Sequence, residues 1–311
     1  LSRVLVTGGL GFIGQHVVNA LLREGYTVRI LDVSTANVKD TLIDEEGSLE
    51  VVRGSVTDRD LLVQTTREVD AVVHLAAIGN LAKSIHNPLQ YHDVNVTGTV
   101  NLLNSSINSG VKKFVFASSG AVYRPDVSYP ITEDEKYGPI SPYAVNKVCG
   151  EFYCTTFSKT YGIDTLILRF FNVYGPGRES SGYDGAVTKF MLGALRGDAV
   201  ELFGTGSNVR DYVYVKDVAN VIGLALTKGI SGVFNVGTGK GVSTLDLVRS
   251  VERVTNRKIT LLKRPARPGD TEFRVADITK LKSALGYQPT FDLDTGLKEL
   301  ESYLRKKYGI T

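Results

Sequence analysis

Near its start the chain sets a glycine-spaced turn between a strand pattern and a helix pattern, and this arrangement constrains the fold more than any other feature. Val4-Leu5-Val6 is a short β-branched run, Thr7-Gly8-Gly9-Leu10-Gly11-Phe12-Ile13-Gly14 follows, and an amphipathic stretch continues to Arg23. Gly8 permits a tight turn, Gly11 lets backbone approach a pyrophosphate, and Gly14 lets helix and strand pack closely. Phe12 and Ile13 then open a helix whose N-terminus faces phosphate. The same rhythm repeats, with strands expected at Thr27–Leu31, Leu49–Val52, Ala71–Leu75, Lys113–Ala117 and Thr165–Arg169 and helices at Tyr91–Asn108 and Pro142–Tyr161. Such alternation predicts an α/β fold, a doubly wound (Rossmann) parallel sheet with helices on both faces.

Beyond Asn172 the rhythm changes. The breaker-rich run from Gly175 to Gly182 carries too little apolar content to pack as an element, and the loop from Gly175 to Gly185 reads as a candidate lid. Helices expected at Ala186–Leu195, Ser243–Val254, Asp277–Leu285 and Asp294–Lys307 then dominate over short strands. The reading is a first domain over residues 1–172, rejoined by 211–237, and a smaller mixed α/β substrate-binding domain over 173–210 and 238–311.

Asp32 ends the second strand, 18 residues past Gly14. A carboxylate there accepts hydrogen bonds from an adenosine ribose and repels a 2′-phosphate, which favours NAD over NADP as the cofactor. The plain alternative for Asp32 is a turn or capping residue. A second motif, Tyr143-Ala144-Val145-Asn146-Lys147, follows Ser141-Pro142, a helix N-cap and first helical residue. It places a phenol and an ammonium one turn apart on one face. The ammonium favours the phenolate, so Tyr143 can take a proton from an alcohol. Ser118-Ser119, at the end of the strand through Phe114-Val115-Phe116, supplies a hydroxyl beside the expected nicotinamide site.

The net charge of +3 and the absence of a Lys/Arg run argue against nucleic acid. No apolar stretch has the ~18 residues of a spanning helix and no signal-peptide pattern opens the chain, so no membrane partner and a cytoplasmic location are expected. Cys149 and Cys154 face poorly for a disulfide or metal pair, and the four histidines have no ligand spacing, so no metal is expected.

On these residues the chain resembles the extended short-chain dehydrogenase/reductases, and among them the NAD-dependent nucleotide-sugar 4-epimerases. The likeness runs through the glycine motif, Val73-His74-Leu75-Ala76-Ala77, Asn95 with Gly98-Thr99, Ser118 to Tyr123, Tyr143 to Lys147, Arg169 to Pro176, Arg210-Asp211-Tyr212-Val213 and Arg267-Pro268-Gly269-Asp270. It implies catalytic roles for Ser119, Tyr143 and Lys147. It implies a cofactor cleft lined by Ser55, Val56, Leu75, Ala76, Ala77, Asn95, Ala117, Ser118, Phe170 and Phe171. It further implies that Asn172, Arg210 and Arg267 hold a UDP-sugar's diphosphate, with Asp270 on the uridine ribose and Glu201 and Phe203 near the base. Read without the family, Arg210 and Arg267 are surface ion-pair residues.

Three departures stand out. Ser55 replaces the family's usual adenine-binding aspartate, leaving Asp58 as a substitute; Gly79 falls where some relatives have a lysine, and Arg124 replaces a glycine. Gly120 and Ala121 follow Ser119, where the family's dehydratases carry an acidic pair and its decarboxylases a glutamate. The resemblance therefore points to 4-epimerisation of a UDP-hexose. It also implies a homodimer through the helices before and at the Tyr-Lys motif, with Leu102, Leu103, Phe152 and Phe157 either in that contact or in ordinary core. Arg274, beside the sugar by analogy, either excludes N-acetyl groups, pairs with a sugar carboxylate, or points to solvent or Glu272.

Overall fold

The computed structural model describes residues 2–35, 48–180, 185–266 and 271–310. In chain order the elements are β1 (Arg3–Thr7), α1 (Phe12–Arg23), β2 (Thr27–Asp32), β3 (Leu49–Arg53), α2 (Arg59–Thr65), β4 (Ala71–His74), α3 (Leu81–His86), α4 (Pro88–His92), α5 (Gly98–Asn108), β5 (Lys113–Ser119), α6 (Pro142–Tyr161) and β6 (Asp164–Phe170). There follow β7 (Asn172–Tyr174), α7 (Ala186–Arg196), β8 (Val200–Phe203), β9 (Val209–Tyr214), α8 (Val215–Lys228), β10 (Gly232–Val236), β11 (Gly241–Ser243), α9 (Thr244–Thr255), β12 (Leu261–Arg264), β13 (Phe273–Arg274), α10 (Thr279–Leu285) and α11 (Leu293–Tyr308). The helix expected over Tyr91–Asn108 is present, but it passes through a π-helical turn at Asp93–Thr97 between α4 and α5.

The chain divides into two compact units, one of Leu1–Arg124, Lys136–Phe170 and Ala219–Phe234, the other of Pro125–Glu135, Phe171–Val218 and Asn235–Thr311. The expected return of 211–237 to the first unit thus begins only at Ala219. The reason is strand pairing: β9 is a central strand of a small sheet in the second unit, parallel to β7 and β13 and antiparallel to β11. Residues 125–135 also sit with the second unit, where Ile131 exchanges backbone hydrogen bonds with Val275 and Asp277.

The first unit is built on a seven-stranded sheet in the order β10-β6-β5-β4-β1-β2-β3, its pairs from β6 to β3 all parallel. Val4, Leu5, Val6, Val72, Val73, Phe114 and Val115 are almost wholly buried, as strands covered on both faces require. The strand order reverses between β1 and β4, and in open α/β sheets ligands bind at the carboxyl ends beside such a reversal. In the second unit α7, α9 and α11 enclose a core of Phe190, Met191, Leu247, Val251, Leu297, Leu300 and Leu304. Among the described residues no helix is long and apolar enough to cross a membrane.

Candidate active site

The turn after β1 has the form its glycines predict. Gly8 has φ +71°, and a Cβ there would lie 2.7 Å from the Ala76 nitrogen at the exit of β4. A Cβ on Gly14 would come within 2.0 Å of the Gly8 carbonyl oxygen, whereas one on Gly11 would meet only that oxygen, at 3.2 Å. Gly11 therefore faces open space at the N-terminus of α1, which has no side-chain cap and no acidic residue in its first turn. The uncapped N–H groups and the room beside Gly11 fit a pyrophosphate. Asp32 is buried; its Oδ2 accepts from Leu10 N at 2.9 Å and its Oδ1 from Ser34 N at 2.8 Å. It is thus a turn residue in this fold, and each carboxylate oxygen keeps a further acceptor site for a ribose.

Around this turn the expected cleft residues divide. Leu75 and Ala76 lie where β4 leaves the sheet, with Leu75 N bonded to Thr7 O, and Ala77 is exposed beyond them. Val56 is buried against Gly98. The Ser55 hydroxyl pairs with Thr57 at 2.8 Å, and Asp58, the suggested substitute, caps α2 through Leu61 N. Asn95 uses its amide on the backbone of Ile78, accepting from its N–H at 2.8 Å and donating to its carbonyl at 3.1 Å.

A buried chain ties these parts together. The Thr99 hydroxyl donates to Asn95 O at 2.7 Å, so its oxygen accepts from His74 Nε2 at 2.9 Å. His74 Nδ1 then accepts from the Thr7 hydroxyl at 2.7 Å, whose oxygen takes the Ala76 N–H at 3.4 Å. Each donor has one acceptor only if the imidazole is neutral. Burial, with Lys147 nearby, holds the His74 pKa down at about 3.

The Tyr-Lys pair sits at the start of α6, where Ser141 caps Ala144 N at 3.2 Å and Pro142 is the first helical residue. Tyr143 is half-buried in the first turn. Lys147 is buried, its Nζ donating to Ala117 O at 2.7 Å and lying 5.8 Å from the centre of the Tyr143 ring. Desolvation lowers its pKa to about 8, against the opposing pull of Cys154 and Glu151; at neutral pH it remains a cation. Ser119 leaves β5 with its Oγ accepting from Ala121 N at 3.1 Å. The structure thus brings Tyr143, Lys147 and Ala117 together and sets Ser119 two residues beyond the lysine's acceptor.

The buried hydroxyl of Ser118 donates to Glu151. Glu151, which the sequence reading passed over, is 1% exposed and forms an ion pair with Arg169 at 2.7 Å. Its signal was present in the spacing, four residues after Lys147 on the same helical face. Phe170 ends β6 and is buried, as is Phe171.

In the second unit, Asn172 donates to Asp211 O at 3.3 Å. Asp211, fully buried, accepts from Thr238, Gly239 and Ala276 and so fixes β9. Strand alternation then sends Arg210 to the opposite face, where it is the register partner of Arg274 on β13. Arg210 Nη1 donates to Val209 O at 2.9 Å, and Arg274 Nε to Thr271 Oγ1 at 3.4 Å. The Glu201 carboxylate is bound to Arg264 at 2.9 Å, and Phe203 ends β8 half-buried. Arg267 and Asp270, and residues 181–184 of the candidate lid, lie outside the described residues.

The sheet order, the glycine turn at its reversal and the acid closing β2 define a dinucleotide-binding α/β protein of the Rossmann class. The chain belongs to the NAD dependent epimerase/dehydratase family, whose sequence model matches residues 4–237. It is similar to the UDP-glucose 4-epimerase of Lactobacillus helveticus, 36% identical over an alignment 306 positions long that covers 92% of each chain. Among solved structures it is similar to the Thermotoga maritima UDP-glucose 4-epimerase with UDP-glucose, at 38% identity and a TM-score of 0.92 over 98% of this chain and 99% of that one. It is also similar to a UDP-N-acetylglucosamine 4-epimerase from Methanobrevibacter ruminantium in complex with UDP-N-acetylmuramic acid, at 33% identity and a TM-score of 0.93, with the same coverage. The protein is an NAD-dependent enzyme of the nucleotide-sugar epimerase type.

Two predictions follow the geometry. Gly11→Ala is expected to fold with a thermal midpoint near wild type but to lose bound NAD, whereas Gly14→Ala lowers the midpoint itself; extraction of NAD beside a melting curve separates the two. For His74, the native pKa lies below the ordinary 6.5, so the unfolded chain binds the extra proton and stability falls as pH drops from 6.5 towards 3. The slope from this one group is about 1.4 kcal/mol per pH unit. His74→Gln should remove that component from denaturant-unfolding free energies measured across the window, and an unchanged slope would contradict the neutral imidazole.

Proposed function

We propose that the enzyme inverts C4 of a UDP-hexose, with UDP-glucose and UDP-galactose as the first candidates, through a transient 4-ketone. When bound, NAD supplies the hydride acceptor and donor. The Tyr143 phenolate takes the C4 hydroxyl proton, with Lys147 as the cation that favours the phenolate and Ser119 as the hydroxyl that holds the reacting oxygen. The proton returns from Tyr143 once the ketone has presented its other face, so the sugar's net oxidation is zero and no external oxidant is consumed. Asn172, Arg210 and Arg267 hold the diphosphate, Asp270 the uridine ribose, and Glu201 and Phe203 flank the base.

The observation that carries this reading is the exit of β5. Ser119 is followed by Gly120 and Ala121 in a 3₁₀ turn, so this segment offers no carboxylate to eliminate water from the ketone. Return of hydrogen to C4 is then its simplest fate. Arg274, the register partner of Arg210 on the neighbouring strand, is the residue that discriminates among hexoses in this reading, its guanidinium suiting an anionic group, whether diphosphate or uronate, better than an N-acetyl group.

The test is a product assay on purified enzyme with UDP-glucose, UDP-N-acetylglucosamine and UDP-glucuronate. Wild type should interconvert a C4 pair without net formation of reduced cofactor, and Tyr143→Phe should lose about 100-fold or more in kcat. Arg274→Ser should raise the rate on the N-acetyl sugar relative to the others. Stoichiometric reduction of the cofactor would make the enzyme a dehydrogenase instead, and unchanged sugar ratios would remove Arg274 from the specificity argument.

The same reading includes a homodimer. Leu102 is core, but Ile85, Leu89, Val145, Phe152 and Tyr153 of α3, α4 and α6 expose apolar surface, Leu89 to 79%. Light scattering should give twice the chain mass, reduced to one chain by Leu89→Asp with Phe152→Asp; a wild-type mass of a single chain would dismiss the dimer.

A further inference from the structure

The exit of β5 is gripped from α6 by two side chains one turn apart. Lys147 bonds the carbonyl of Ala117, and Glu151 receives the hydroxyl of the next residue, Ser118. The helix comes close enough because residue 150 is glycine; a Cβ there would lie 2.3 Å from the Phe116 ring. Glu151 is in turn held by Arg169 of the neighbouring strand, whose register partner in β5 is Ser118 itself. Arg169 Nε reaches both carboxylate oxygens, at 3.0 and 3.2 Å, and Nη2 reaches Oε2 at 2.7 Å. Tyr137 donates to Oε2 at 2.8 Å, and Arg169 also donates to the hydroxyls of Tyr123 and Tyr137, at 2.9 Å each.

Glu151, Arg169 and Ser118 are all at least 97% buried. Apolar side chains of the same shape often stabilise a core as well as a buried ion pair does, so stability is weak grounds for the pair. What a leucine or methionine here would not do is fix the direction of a hydrogen bond to Ser118, the residue immediately before Ser119.

We infer that Glu151, oriented by Arg169, is a positioning residue: through Ser118 it locks the end of β5 so that the Ser119 hydroxyl points at the reacting oxygen. This rests on the proposed role of Ser119, and it assigns the Ser118 hydroxyl to Glu151 instead of to the cofactor.

The experiment compares Ser118→Ala, Glu151→Gln, Ser118→Thr and, as a control, Tyr143→Phe in purified NAD-loaded enzyme. Ser118→Ala removes the link with little change of volume and should fold. It is expected to lower kcat about 10-fold to 100-fold with KM for the UDP-sugar and NAD content near wild type. Glu151→Gln should act in the same direction, and Ser118→Thr should recover most of the loss. Hydrogen exchange of the peptide spanning residues 117–123 should quicken in Ser118→Ala and Glu151→Gln whether or not a substrate has been found. Unchanged kcat per NAD-loaded site, with only the melting point lowered, would make the network purely structural and overturn the inference. So would loss of NAD from Ser118→Ala, or unaltered exchange in that peptide. If Tyr143→Phe retains full turnover, the catalytic reading itself fails, while the exchange result still decides the positioning claim.

Discussion

The geometry of the candidate site depends on how closely α6 lies on β5. The absence of a side chain at Gly150 lets the helix sit against the Phe116 ring, and at that separation the Lys147 amine reaches a strand carbonyl. The buried Lys147 Nζ donates to Ala117 O, so the helix places Tyr143, one turn earlier, beside the end of the strand. A bulkier residue at 150 would tilt or lift the helix, and the phenol and the strand hydroxyl would lose their common frame.

The first unit meets the problem of buried ionisable groups in three ways. His74 is kept neutral and serves as a hydrogen-bond relay between β4, the glycine turn and α5. Glu151 and Arg169 are kept charged and paired, with further donors on the carboxylate. Lys147 lies between these extremes: desolvation lowers its pKa to about 8 while Glu151 draws it back up. In the proposed reading it is the charged form of Lys147 that favours the Tyr143 phenolate.

Much of this was legible in the sequence because the signals are local. β-branched runs buried on both faces, Ser141-Pro142 at a helix start and glycines at fixed intervals each encode their geometry within a few residues. The parts that were not legible depend on long-range pairing. The inclusion of 125–135 in the second unit rests on backbone bonds from Ile131 to Val275 and Asp277, which no composition shift announces. The assignment of Asp211 to the second unit rests on β9 pairing with three other strands. Ser118 was read from its place at a strand end, but the acceptor that takes its hydroxyl lies 33 residues away. Spacing identified Tyr143 and Lys147; the same spacing continued to Glu151, and burial alone revealed its importance.

The second unit carries a constraint of its own. Asp211 faces inward and takes four donors, which fixes the pleat of β9 and leaves Arg210 no choice of face. Because β13 is parallel and in register, Arg274 is on that same face. A guanidinium suits phosphate oxygens, and the diphosphate of a nucleotide sugar brings two negative charges. In the proposed reading the buried carboxylate thus shapes nucleotide affinity without touching the nucleotide, much as Glu151 acts on Ser119 through Ser118. Asp211 sets the direction of its neighbour on the same strand, whereas Glu151 reaches across from α6 to the strand residue beside Ser119.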